Sequence, residues 1–195
     1  MQQPMRTAAV ILAAGASRRY GSPKQLAKVG ERTMLEWVAD IACAAGLTPI
    51  VVVLPPGIGT PDGAVAVIND RADDGISRSL RLGIEALPGD VEGAVILLGD
   101  QPTVSTEWIR TLLNASRERP VVAMRAEGRM GPPVLLRREA FHLVNEASGD
   151  AGLGPVLARH PDLVSHVDLA AHAPDVDTPQ DLEALVVPSE LPAGG

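Results

Sequence analysis

Val10-Ile11-Leu12-Ala13-Ala14-Gly15-Ala16-Ser17-Arg18-Arg19-Tyr20-Gly21-Ser22-Pro23-Lys24 is the stretch on which the fold turns. It begins as an apolar, β-capable run and changes at Gly15 into small residues studded with cations. A buried strand that delivers its chain into a flexible basic loop is a common way to build a phosphate site at a sheet's edge. Charge sharpens the point. Residues 1–30 hold Arg6, Arg18, Arg19, Lys24 and Lys28, both lysines of the chain among them, and no Asp or Glu. The remainder carries 12 basic against 24 acidic residues in a protein of net charge −7. A local cationic site in an acidic protein points to a small anionic ligand rather than a polyanion.

Working outward, Thr7–Ala13 reads as a first strand, apolar on both faces as in a parallel sheet covered by helices. Thr33 can cap a helix carrying Met34, Trp37, Val38, Ile41 and Ala45, which Gly46 stops. Further strands are expected at 49–54, 64–68, 94–98, 121–124, 134–136 and 163–169. Ser77 or Ser79 begins a helix running to Leu87, and Ser105 caps another through Leu113. Glu127–Pro133 reads as a loop and Arg138–Asn145 as a helix, while 149–160 passes from a glycine-broken loop into a helix. Thr178-Pro179-Gln180-Asp181 is a helix start, with Thr as cap, Pro in the first turn and an acid three residues after the cap. That helix should reach about Val187, leaving a frayed tail at 188–195. Alternating strands and helices with no repeat or linker predict one α/β domain with a mostly parallel sheet, over residues 1–187.

Composition narrows the function. With 195 residues the chain can bury a substantial core as one domain. Four aromatics (Tyr20, Trp37, Trp108 and Phe141) leave no stacking platform for single-stranded nucleic acid, and the acidic balance argues against phosphate-backbone binding. Arg6 followed by Ala8–Ala14 superficially resembles a short signal peptide, but Arg18-Arg19 stand where a mature domain would have to start. The single Cys43 excludes an internal disulfide and suits a reducing compartment. No apolar run approaches the ~18 residues of a membrane helix, so a cytoplasmic protein without membrane or nucleic-acid partners is expected.

In such a sheet, ligands bind beyond the carboxyl ends of the strands. Three features fall there: the Ala14–Lys24 loop, Asp100 directly after its strand, and Asp175-Val176-Asp177 before the last helix. Cations with separated carboxylates are the inventory for a Mg-nucleotide, because carboxylates hold the hard ion while Arg and Lys neutralise phosphate charge. The loop is neither GxxxxGK nor GxGxxG. Singly, each piece also has a structural reading. Asp100 and Asp177 could serve a turn or cap, Arg18 could be solvated, and Ser17 is a loop hydrogen-bonder rather than a nucleophile. His142, His160, His166 and His172 lack metal-ligand spacing.

Together the pieces carry more. Leu12-Ala13-Ala14-Gly15-Ala16-Ser17-Arg18-Arg19-Tyr20-Gly21 with Lys24 closely resembles the LAAGxSxRxG…K signature of the MobA-like nucleotidyltransferases, within them most nearly the molybdenum cofactor cytidylyltransferases. The resemblance continues through Asn69, Gly75-Ile76-Ser77-Arg78-Ser79-Leu80, Leu98-Gly99-Asp100-Gln101-Pro102, Pro133-Val134-Leu135, Gly149-Asp150-Ala151-Gly152 and Asp175–Leu182. It implies a Rossmann-like (GT-A-like) three-layer domain. The implied reaction is nucleotidyl transfer: the terminal phosphate of molybdopterin cofactor attacks the α-phosphate of a Mg²⁺-bound nucleoside triphosphate and pyrophosphate leaves. By the same analogy Arg19 and Lys24 hold the triphosphate, with backbone N–H groups around Gly15–Ser17, and these two cations act in catalysis with Asp100. Asp100 and Asp177 ligate Mg²⁺, while Leu12, Ala13, Ala14, Gly75 and Ser79 line the nucleotide pocket. A molybdoenzyme or its chaperone would receive the product. The Ala13-Ala14 pair resembles the cytidylyl branch and favours CTP, where guanylyl-transferring relatives read LAGG. Guanylyl transfer, transfer to another phosphorylated metabolite, and nucleotide or cofactor binding without turnover stay open as alternatives. Three positions depart from the pattern: Pro132 replaces the His of GHPV, Gly154 replaces the Arg of GDxGAR, and Tyr20 replaces Met. The first two fall on the acceptor half.

Overall fold

All six residues of Thr7–Leu12, strand β1, are buried, as an apolar run covered on both faces must be. The computed structural model describes residues 5–15, 20, 23–115 and 118–185. After β1 come a short hairpin of β2 (Lys28–Val29) and β3 (Arg32–Thr33), then α1 (Met34–Ala44), β4 (Ile50–Leu54) and β5 (Val65–Ile68). Next are α2 (Ile76–Glu85), β6 (Gly93–Leu98), α3 (Thr106–Asn114), β7 (Val121–Ala126) and β8 (Arg129–Arg137). The order ends with α4 (Gly154–Arg159), β9 (Val164–Asp168) and α5 (Pro179–Ala184). The main sheet has seven strands in the order β5-β4-β1-β6-β8-β7-β9. Strand β1 pairs in parallel with β4 and β6, and β8 runs antiparallel to both of its neighbours.

Residues alternate across β1 between two cores, which makes the fold three-layered. Ala9, Ile11 and Ala13 pack with α1 and α3 on one face, and Val10, Leu12 and Ala14 with α2 and the 140–157 segments on the other. Helix α2 presses close to the sheet because Gly83 has no side chain: a Cβ there would lie 2.4 Å from Val10 Cγ1. Thr33 caps α1 in a full capping box with Glu36. None of the helices among the described residues is long and apolar enough to cross a membrane.

Three sequence expectations need correction, and the helix expected at Arg138–Asn145 gains a type. Helix α2 starts at Ile76 with Gly75 at its N-cap, so Ser77 and Ser79 lie inside it, where both side chains are buried. Glu127–Pro133 is no loop throughout: only Glu127 and Gly128 (φ +51° and +74°) make the turn, and β8 begins at Arg129. The two prolines hid this strand. Pairing jumps from Ala123↔Val134 to Met124↔Gly131, leaving Pro132 and Pro133 in a bulge where no ladder N–H is needed. Arg138–Glu146 is 3-10 rather than α-helical. Helix α5 ends at Ala184 with Leu185 extended, and the tail expected at 188–195 lies outside the described residues.

Candidate functional site

A cleft of about 570 Å³ opens where β1 and β6 end side by side. Its floor is the end of β1: Leu12, Ala13, Ala14 and Gly15 all line it, with Leu98 and Gly99 from the end of β6. Gly99 donates its N–H to Leu12 O at 2.9 Å, and a Cβ on it would stand 2.8 Å from that of Ala13, so glycine lets the two strand ends run on together. Gln25, absent from the sequence reading, ties its own segment to the end of this floor. Its amide donates to Ala13 O (2.6 Å) and Gly15 O (3.0 Å) while the side chain is buried. Ser17, Arg18 and Arg19 lie outside the described residues.

Lys24 also lines the cleft. Its ammonium lies 2.6 Å from Asp100 Oδ2 and 3.0 Å from Asp177 Oδ1, with only 12% of the side chain exposed. Burial opposes the charge on Lys24, but hydrogen bonds and attraction from Asp100 and then Asp177 outweigh it and raise its pKa. Asp177 is not spent on the cap of α5. Thr178 is the cap, in a capping box with Asp181, whose carboxylate accepts from the N–H groups of Asp177 and Thr178, while the Asp177 carboxylate accepts from Lys24. The loops are cross-tied: Val176 N–H donates to Asp100 O, and Gln101 donates from Nε2 to Ala173 O and Asp175 Oδ1. Asp175 is thus a third carboxylate in the cleft. Partial desolvation and then the charge of Asp100 raise its pKa, against the lowering effect of the Gln101 hydrogen bond.

The opposite wall comes from the start of α2. Gly75 (φ +92°) faces the Gly149 backbone so closely that a Cβ would fall 2.3 Å from Gly149 C. The contact is fixed by Ser77 N–H donating to Gly149 O at 3.1 Å. Gly75 and Ser79 line the cleft, joined by Ile76, Asp73 and Asp150. Asp150 and Ile76 enter the sequence reading only as members of their motifs, and Asp73 carries no signal of its own there.

The donor set fits a hard divalent ion. Two carboxylates from separate loops already converge on one cation, Lys24, and oxygen donors of this kind suit Mg²⁺ or Mn²⁺. Among the described residues no group of three or more His, Cys, Asp or Glu forms a ready cage. Such a site leaves the remaining coordination to substrate phosphates and water. His142, His160 and His172 are engaged elsewhere, with Glu139 O, Glu146 and Arg129 O.

Comparison with known proteins agrees with this arrangement. Among curated proteins, the chain is 32% identical over 158 residues to the 2-C-methyl-D-erythritol 4-phosphate cytidylyltransferase of Thermus thermophilus, covering 74% of this chain and 70% of that one. It is 31% identical over 136 residues to the bifunctional protein GlmU of Rhodococcus opacus, covering 62% of this chain but only 27% of GlmU. Among solved structures, an Rv0371c homolog from Mycobacterium sp. strain JC1 superposes with TM-score 0.80 at 29% identity, covering 91% of this chain and 93% of that one. Rv0371c of Mycobacterium tuberculosis H37Rv, in complex with manganese, gives 0.76 at 25% identity, covering 93% and 97%. The family model described as the MobA-like NTP transferase domain matches residues 9–164. That match runs from within β1 to the first residue of β9 and takes in the floor of the cleft, Lys24, Asp100 and the α2 wall, with Asp175 and Asp177 beyond it, and the chain belongs to the MobA-like NTP transferase family.

Proposed function

We propose that this protein is a divalent-metal-dependent cytidylyltransferase that moves CMP from CTP onto the terminal phosphate of molybdopterin cofactor and releases pyrophosphate. The observation that carries the reading is the convergence of Lys24, Asp100 and Asp177 at the mouth of the β1–β6 cleft. A phosphate oxygen of the acceptor attacks the α-phosphorus, and the bond to the bridging oxygen breaks. Little covalent chemistry falls to the protein, so alignment and charge neutralisation dominate. Asp100 and Asp177 would hold the Mg²⁺, whose contribution when bound is to neutralise triphosphate oxygens. Lys24, and Arg19 by analogy, supply further positive charge, while the backbone around Gly15 approaches the phosphates without side-chain obstruction. Leu12, Ala13, Ala14, Gly75 and Ser79 enclose the nucleoside. A reducing cytoplasmic setting suits the exposed Cys43.

Two observations favour a second acceptor, another small phosphorylated metabolite. Pro132 and Gly154 replace an imidazole and a guanidinium on the acceptor side, and the Thermus relative is by name a methylerythritol-phosphate enzyme. Pyrophosphate release measured with CTP, GTP, ATP and UTP, against molybdopterin and methylerythritol phosphate with Mg²⁺, separates the readings. Turnover of CTP with molybdopterin is expected. Turnover with GTP but not CTP would overturn the base assignment, and turnover only with methylerythritol phosphate would overturn the acceptor. No release with any pair would leave a nucleotide-binding protein without catalysis.

A further inference from the structure

Asn69 is fully buried directly after β5, behind the wall of the cleft, and both heavy atoms of its amide are hydrogen-bonded. Its Oδ1 accepts from the Arg71 N–H (3.1 Å) and from Arg78 Nε (2.9 Å). Both partners are obligate donors, so the orientation of the amide is fixed by chemistry rather than by convention. Nδ2 is thereby forced to face Ser79, donating to its Oγ at 2.9 Å. A hydroxyl that accepts there must direct its own proton elsewhere. Ser79 lines the cleft opposite the Lys24–Asp100 cluster. The backbone of this segment is anchored as well, by Asn69 N–H to Leu54 O at 2.8 Å.

We propose that Asn69 is a positioning residue that sets the polarity of Ser79, making this wall of the cleft a hydrogen-bond donor to an acceptor edge of the nucleotide base. The proposal rests on the nucleotidyltransfer reading and deepens it by naming how the base is read. Cytosine offers its C2 carbonyl and its N3 as acceptors, and a hydroxyl held as a donor complements either. Were Ser79 free to rotate, it would accept or donate with equal ease and discriminate little. A polar group locked in one sense rejects a mismatched edge, because the mismatch leaves a desolvated group unpaired.

The Asn69→Asp variant tests this directly. It is isosteric, keeps the acceptor for Arg71 and Arg78, and reverses the remaining partner: a carboxylate accepts from Ser79, turning the hydroxyl's lone pairs toward the cleft. Equilibrium CTP binding and steady-state kinetics are measured for wild type, Asn69→Asp, Ser79→Ala and the double variant, with melting temperatures as the check on folding. Asn69→Asp should raise the Kd and KM for CTP about tenfold, the worth of one well-placed hydrogen bond, and leave kcat within about twofold. Added to Ser79→Ala, it should cost nothing further, since its effect passes through that hydroxyl. Independent, multiplying losses would mean that Asn69 acts structurally, and wild-type affinity in Asn69→Asp would also overturn the proposal. If Asn69→Asp does not fold, Ser79→Ala alone remains decisive: unchanged CTP affinity refutes the donor role. A wild-type protein that binds no nucleoside triphosphate would instead refute the proposed function itself.

Discussion

Asp100 and Lys24 illustrate how far individual residues carry the account. Asp100→Asn keeps the shape of the side chain but removes the charge that a divalent ion requires. Its kcat should fall roughly 100-fold or more, with the melting temperature nearly unchanged. Retention of near-normal turnover would remove Asp100 from the metal site. Lys24→Ala should cost far more activity than Lys28→Ala, because Lys28 lies on β2 and is exposed, outside the cleft. Kinetics on the two variants side by side decide the point. Asp175 gives a pH test. Its acid is weakened in the folded state, so the charged form costs stability above its folded pKa, and that cost vanishes on acidification below the ordinary carboxylate value. Metal-free Asp175→Asn should therefore melt higher than wild type at neutral pH and lose the advantage at low pH, a comparison that thermal melts across pH can read. The sequence located Asp100 and Asp177 through strand-end and helix-start position. It could not place Lys24 between them, because Lys24 and Asp177 are 153 residues apart in the chain and only folding brings them together. Gln25 stayed hidden for the same reason, its partners being backbone carbonyls at the end of another element.

At the scale of elements, the wall formed by α2 depends on Gly75. Alanine there would need φ near +92° and would press its Cβ against the Gly149 backbone. Overpacking against backbone that cannot yield should cost about 2 kcal/mol or more, measurable by denaturant unfolding. The same variant should raise the KM for nucleotide, since Gly75 and Ser79 share that wall. An unchanged stability would mean that the Gly149 loop moves aside freely. The sequence read this helix as starting at Ser77 or Ser79 because serine is a common N-cap. Tertiary contact decided otherwise: Ser77 N–H bonds to Gly149 O and Ser79 to Asn69, so neither serves as a cap. Strand β8 was shortened in the reading for a different reason, since a bulge that shelters two prolines looks like a loop until the partner strand is seen.

For the whole molecule, the three-layer arrangement explains why the function is concentrated on one edge. Strands β1, β4, β5 and β6 run parallel and release their chains on the same side, where the end of β1, Lys24, the α2 wall and Asp100 meet. The loop before α5 is joined to them by the Val176–Asp100 hydrogen bond. That much followed from alternating apolar strands and helices, because buried parallel strands leave a distinct, continuous apolar signature. The proposed acceptor half did not, because Pro132 on β8 and Gly154 at the start of α4 carry none of the imidazole or guanidinium chemistry that the resemblance would read there. The central claim is transfer from the α-phosphate, and radiolabel position tests it most directly. With CTP labelled at the α- or the γ-phosphate, the wild-type protein, Mg²⁺ and molybdopterin, the account predicts α-label in the nucleotidylated acceptor and γ-label in pyrophosphate. Label from the γ-position in the acceptor or in inorganic phosphate would contradict it.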